Sequence, residues 1–231
     1  MKQLEIFPTS VKTESRKTIA MRNGDIHADS AIRGFDKNTR ITGLTNGAFS
    51  LISLIRSVLK KTGAAHIVVS TWSSGFYDSN VIDGLLQSNS ILSFKFILDR
   101  SFKTRQEKYA THITHLFSPE NIRTTNTHSK FVLIWNENWN VCIRSSMNLN
   151  ENKRCENFDL DNDIDIFNLF KNYTDELFAK QPEGIIENRR VVDSVFDSMF
   201  ETENPAPEQV APEAKTVSNI LSKMPPVSFP E

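Results

Sequence analysis

Residues 125–157, "NTHSKFVLIWNENWNVCIRSSMNLNENKRCENF", gather the side chains of this chain best suited to chemistry. His128 and Lys130 precede one apolar run, "FVLIW", and Ser146 and Asn148 follow the next, "NVCIR". Strands at 128–135 and 139–146, joined by the polar "NEN" of 136–138, predict an antiparallel hairpin. Side chains alternate between faces along a strand, so His128 and Lys130 point the same way. With the turn centred near Glu137, His128 lies opposite Ser146, and Asn148 follows two residues later. The spacing thus collects an imidazole, an ammonium, a hydroxyl and an amide at one open end of an apolar sheet. These groups suit a phosphate. A neutral imidazole is a nucleophile toward phosphorus. Lysine brings positive charge to the non-bridging oxygens. Serine and asparagine donate hydrogen bonds to the charge that builds on those oxygens. A carboxylate is wanted behind the histidine to hold its tautomer, and Glu156 is the nearest candidate.

His128-x-Lys130 followed by Ser146-x-Asn148 resembles the HKD signature of the phospholipase D superfamily. The segment "RSSMNLNENKRCENF" is similar to single-motif phospholipase D-like proteins of phages and bacteria, and the resemblance covers about residues 120–160. It implies a phosphodiesterase that needs neither metal nor cofactor, with His128, Lys130, Ser146, Asn148 and Glu156 as its site. One histidine attacks phosphorus to form a phosphohistidine; a second protonates the leaving oxygen and then activates water. The chain departs from the family pattern at three points. Trp135 stands in place of the aspartate, Ser145 in place of the glycine before the serine, and the interval from Lys130 to Ser146 is longer. Only one copy of the motif is present, because none of His27, His66, His112 and His115 has a lysine two positions on. A lone site lacks its leaving-group acid, typically a loss of about 10²–10⁴-fold in rate. A twofold homodimer that places His128 of both subunits about one phosphate repairs this.

The elements around the hairpin are those of a layered α/β domain, a mixed central sheet flanked by helices as in phospholipase D. "TNGAFSLISLIRSVLKKTG" (45–63) predicts a helix capped by Thr45 or Asn46 and stopped by Gly63. Further helices are expected at 76–88, 104–117, 166–180 and 186–201, and strands at 66–71, 91–99 and 157–167. Residues 1–40 form an N-terminal extension with weak periodicity, and 41–201 the catalytic domain. Six of the nine prolines fall in 202–231, which marks a disordered tail; its apolar "TVSNILSKM" suits a docking helix for a protein partner.

Net charge is −1, which argues against nonspecific coating of nucleic acid. Residues 94–130, however, hold seven Lys/Arg against three Asp/Glu and end on His128 and Lys130, so they can steer an anion there. Two cysteines make no disulfide framework, no segment suits a membrane span, and the N-terminal residues lack the apolar core of a signal peptide. A reducing cytoplasm is expected. His112 and His115 in "THITH" lack a third metal ligand, and "DLDND" (159–163) lacks the glycine and glutamate of a calcium loop. "STWSSG" (70–75) borders the cleft, and Trp72, Trp135 and Trp139 are candidates for base stacking or packing. The leading expectation is a nuclease acting on DNA or RNA. The alternatives are a lipid-cleaving phospholipase D, and a catalytically inactive nucleic-acid-binding or assembly module.

Overall fold

The computed structural model describes residues 17–23, 27–151 and 153–200. The proline-rich tail, with its "TVSNILSKM" segment, lies outside these residues. Eight strands form one mixed sheet: β1 (Lys17–Asn23), β2 (Thr39–Thr45), β3 (Ala65–Thr71), β4 (Ile91–Asp99), β5 (Ile122–Thr125), β6 (Phe131–Trp135), β7 (Asn140–Ser145) and β8 (Glu156–Asp161). Their order across the sheet is β1-β2-β8-β7-β6-β3-β4-β5. The pairs β1/β2, β3/β4 and β4/β5 are parallel and the rest antiparallel. The helices are α1 (Ala28–Ala31), α2 (Leu51–Thr62), α3 (Phe76–Gln87), α4 (Phe102–Arg105), α5 (Glu107–Leu116), α6 (Ile164–Lys180) and α7 (Arg189–Phe200). The mixed sheet flanked by helices is the fold class expected.

The central strands read as continuous apolar runs because both of their faces are buried. Ile67, Val69, Val132, Ile134, Val141 and Ile143 share one core with Leu51, Ile55 and Val58 of α2. Val68, Phe131, Leu133 and Cys142 point the other way and pack with Ile166, Phe167 and Leu177 of α6. Each such aliphatic side chain contributes roughly 1.5–3 kcal/mol on burial. Cys142 behaves as a small hydrophobe, its thiol pushed up to about 12 by burial.

Several boundaries move for local reasons. Helix α2 starts at Leu51 because Ser50 caps it, its side chain accepting from Ser53 N. Thr45 instead ends β2 and accepts from Gly47 N at 3.0 Å, which turns the chain. Gly63 stops α2 at φ 78°, where a glycine carries no Cβ penalty. The helix expected at 104–117 is broken at Gln106 into α4 and α5. Strand β8 ends at Asp161 because the Asp163 carboxylate accepts from Asp165 N and Ile166 N and so caps α6. Strand β5, four residues long, has no counterpart among the expected elements. Residues 28–35, in the stretch read as an extension, supply Ala28, Ala31, Ile32 and Phe35 to the core.

Candidate active site

The pairing senses decide where chemistry can gather. β2, β3, β4, β5 and β7 all end at one edge of the sheet, and β6 and β8 begin there. Side chains just beyond those strand ends converge in space although they are far apart in sequence. That is where open α/β sheets bind ligands.

The hairpin forms, but its register differs by one from that expected. Phe131 pairs with Arg144 and Trp135 with Asn140, so the connection is the four residues 136–139 and Ser129, not His128, falls level with Ser146. The extra turn residue is held by Asn136, whose Oδ1 accepts from Asn138 N at 3.0 Å and Trp139 N at 3.1 Å. The regular strand begins at Phe131, leaving His128 and Lys130 on the segment that leads into it. A backbone bond, Ser145 N to Lys130 O at 3.0 Å, still ties the two tips together.

His128 is exposed, and its imidazole meets Lys130 and Trp72. Lys130 Nζ stands 3.0 Å from Nδ1 and 3.4 Å from Nε2, and donates to the His128 carbonyl at 2.9 Å. The Trp72 ring is tilted at 57° with centroids 5.6 Å apart. Burial holds the Lys130 ammonium below the ordinary lysine range, while Glu156 and then Asp99 act to raise it. Ser146 donates to Glu156 and its Oγ accepts from Asn157 N at 2.9 Å. Asn148 lies beside the end of β3, its Oδ1 3.4 Å from Thr71 Oγ1. The five expected residues therefore sit at one edge as two linked groups: His128 with Lys130, and Ser146 with Glu156. Asn148 lies on the β3 side. An exposed imidazole beside a cation, with an amide at the same edge, can engage a tetrahedral oxyanion and attack it.

No family model and no curated protein sequence matches the chain. Among solved structures it is similar to Nuc, a phospholipase D family member from Salmonella typhimurium. That match has 13% identity, covers 62% of this chain and 96% of the other, and has a TM-score of 0.46. It is also similar to TrmBL2, an archaeal chromatin protein whose structure shows a novel mode of DNA binding. Here identity is 12% over 62% of this chain and 54% of the other, with a TM-score of 0.38.

The strand ends bring in residues that spacing did not reveal. Arg105 stacks on Trp72, its guanidinium carbon 3.5 Å from the ring centroid, and donates to the Trp72 carbonyl at 2.8 Å. Asp99, buried at the end of β4, accepts from Ser101 and lies 3.7 Å from Arg105. The clustering of cations in 94–130 and the "STWSSG" of 70–75 hinted at this wall. The loop carrying Asn148 is clasped from below. Gly75 N donates to Leu149 O at 2.8 Å and Leu149 N to Thr71 Oγ1 at 3.1 Å. A Cβ at Gly75 would stand 3.0 Å from Asp78 Oδ2 and 3.6 Å from Asn150 Cβ, so a side chain there would press on the Asp78 carboxylate.

Other candidates separate from the site. Trp135 occupies the far end of β6, roughly 16 Å from Lys130 at 3.3 Å per residue, where it packs on His66 and Phe167. Trp139 stacks on Phe35. Ser145, in place of glycine, donates to Asn157 O at 2.6 Å and accepts from Met147 N at 2.9 Å. His112 lies 3.0 Å from Asn80 Oδ1 on α5, and His115 is exposed. Among the described residues no group of three or more His, Cys, Asp or Glu is placed to hold a metal, and no helix is long and apolar enough to cross a membrane.

Proposed function

We propose that the chain is a phosphodiesterase that cleaves DNA or RNA without a metal ion, through a phosphohistidine on His128. The observation that carries this is the exposed imidazole with Lys130 Nζ 3.0 Å from its Nδ1, at the sheet edge where Ser146, Glu156 and Asn148 also end. A ring nitrogen of His128 attacks phosphorus, and an N–P bond forms as the P–O bond to the leaving oxygen breaks. Lys130 and the amide of Asn148 stabilise the non-bridging oxygens. The leaving oxygen takes its proton from a second imidazole. That imidazole then removes a proton from water, hydroxide attacks the phosphohistidine, and the N–P bond breaks. Ser146, fixed by Glu156 and Asn157, keeps the hairpin tips in place.

The second imidazole is not among the contacts of His128 in the described residues, where its ring meets Lys130 and Trp72. His66 lies at the opposite edge of the sheet, His112 packs on Phe76 and Asn80, and His27 precedes α1. His128 of a twofold-related copy supplies it, so the active species is a homodimer. Nucleic acid is favoured over lipid by the cationic 94–130 stretch, whose Arg105 stands beside Trp72 at the same edge. The test incubates purified protein with DNA, RNA and phosphatidylcholine in EDTA. Nucleic-acid cleavage that survives the chelator and disappears in His128→Ala is the expected result. Headgroup release alone, or binding without turnover that His128→Ala leaves unchanged, overturns it. Light scattering that finds an active monomer removes the dimer.

A further inference from the structure

We infer that Arg144 holds a second phosphate beside the one attacked by His128, and that this selects a polyanionic strand over a zwitterionic lipid. The inference rests on the phosphodiesterase reading and deepens it by naming the substrate class. An open cleft of about 300 Å³ adjoins the hairpin tips, lined among others by Lys130, Arg144, Ser145, Ser146, Asn157 and Phe170. Arg144 is the penultimate residue of β7 and alternates with Ile143 and Ser145, so its side chain rises on the face covered by α6. Its Nε is buried and finds no acceptor among the described residues. Asp159, its register partner on β8, accepts instead from Thr42 at 2.7 Å. A buried guanidinium N–H left without a partner is costly, the more so because the group is charged, so an anionic acceptor at this position is favoured.

The neighbours narrow what that acceptor is. Ser145 and Ser146 already donate to Asn157 O and to Glu156, so their hydroxyl protons are committed. The charged donors that line the cleft are Lys130, on the segment leading into β6, and Arg144, on β7, beside Ser129 and Asn157. Two cations lining one cleft match two successive backbone phosphates. A phosphatidylcholine offers one phosphate followed closely by a quaternary ammonium, which Arg144 repels. The guanidinium fork also suits a phosphate held at two oxygens better than a lysine does.

The test uses the full chain carrying His128→Ala, so that bound strands stay intact. Binding is measured for a single-stranded oligonucleotide and for a dinucleoside monophosphate, which has a single phosphate. Adding Arg144→Gln is expected to weaken the oligonucleotide about tenfold and to make its salt dependence shallower by about one. The dinucleoside monophosphate should bind as before, and Arg144→Lys should restore the salt slope. Equal loss for both ligands, or an unchanged slope, overturns the inference. Inorganic pyrophosphate supplies an independent arm. It should raise the melting temperature of the natural chain and not of Arg144→Gln. No effect on the natural chain overturns the second phosphate site. An Arg144-dependent shift in a protein that cleaves no nucleic acid overturns the nuclease reading and leaves the site standing.

Discussion

Two histidine–tryptophan pairs sit at opposite edges of the same sheet. His66 stacks on Trp135 with centroids 5.3 Å apart at 28°, and its Nδ1 lies 2.7 Å from Ser93 Oγ. His128 leans on Trp72 at 5.6 Å and 57°, and its ring faces Lys130. One imidazole is flanked by a neutral hydroxyl on the faces of packed strands. The other is exposed where strands end, beside an ammonium that is itself drawn to Glu156 and Asp99. Both imidazoles have an aromatic neighbour; what separates them is the ammonium beside His128. The two edges also differ in how fully their polar groups are used. At the far edge Asn136 satisfies four backbone groups, donating to Thr62 O and Ala64 O at 3.0 Å and accepting from residues 138 and 139. At the near edge a buried carboxyl, Asp78, and the Nε of Arg144 are poorly served.

The comparison breaks most sharply on the histidines. His128→Ala should lower phosphodiester cleavage by at least about 10³-fold, the scale on which nucleophile or acid–base groups are lost. His66→Ala should leave the rate constant for cleavage close to that of the natural chain. Comparable losses in both would mean that the two pairs share a structural role. Lys130→Met comes next, with an expected loss of about 10²-fold in kcat from a donor aimed at developing charge. Its pH profile adds a second reading. Burial lowers the Lys130 pKa, so the cation is lost, and the rate with it, as pH rises through a value below the usual lysine range. An alkaline limb that persists in Lys130→Met would assign that limb to another group.

Much of the near edge was legible because its chemistry is local. His-x-Lys and Ser-x-Asn flank two apolar runs that must pair, and that pairing brings the motif's ends together whichever register is adopted. The register itself was not legible. A strand of alternating faces fits either alignment until the turn is known, and Asn136 sets the turn through side-chain bonds to backbone. Trp72 was within reach of the sequence, since "STWSSG" is expected to border the cleft, but its neighbours Asp99 and Arg105 were hidden for a different reason. They reach the site through parallel pairing of β3 with β4, a contact between segments that no spacing encodes. Capping misled the helix starts: Thr45 and Ser50 are both competent caps, and only the extent of β2 decides between them.

At the far edge, Asn136→Ala should destabilise the fold by about 1–2 kcal/mol, because it removes four hydrogen bonds to backbone groups, some of which water replaces. Chemical denaturation should show a lower midpoint with cleavage of the folded fraction intact. Asp78 is its opposite at the near edge, a group whose removal should help. Burial beneath the Asn148 loop, with a smaller push from Glu151, raises its carboxyl to about 6 from 3.8. A pKa that is higher in the folded state means that folding takes up a proton between those values, so stability falls as pH rises from about 4 to about 6 and stays lower above. Asp78→Asn keeps the shape and discards the charge. At pH 7 it should gain on the order of 1 kcal/mol, a figure reduced for hydration of the partly open loop, and near pH 4 the gain should vanish. Urea midpoints at the two pH values measure both. A gain that is the same at pH 4 would locate the benefit in packing, and a loss at pH 7 would show that the carboxylate is anchoring the loop under Asn148 in its charged form.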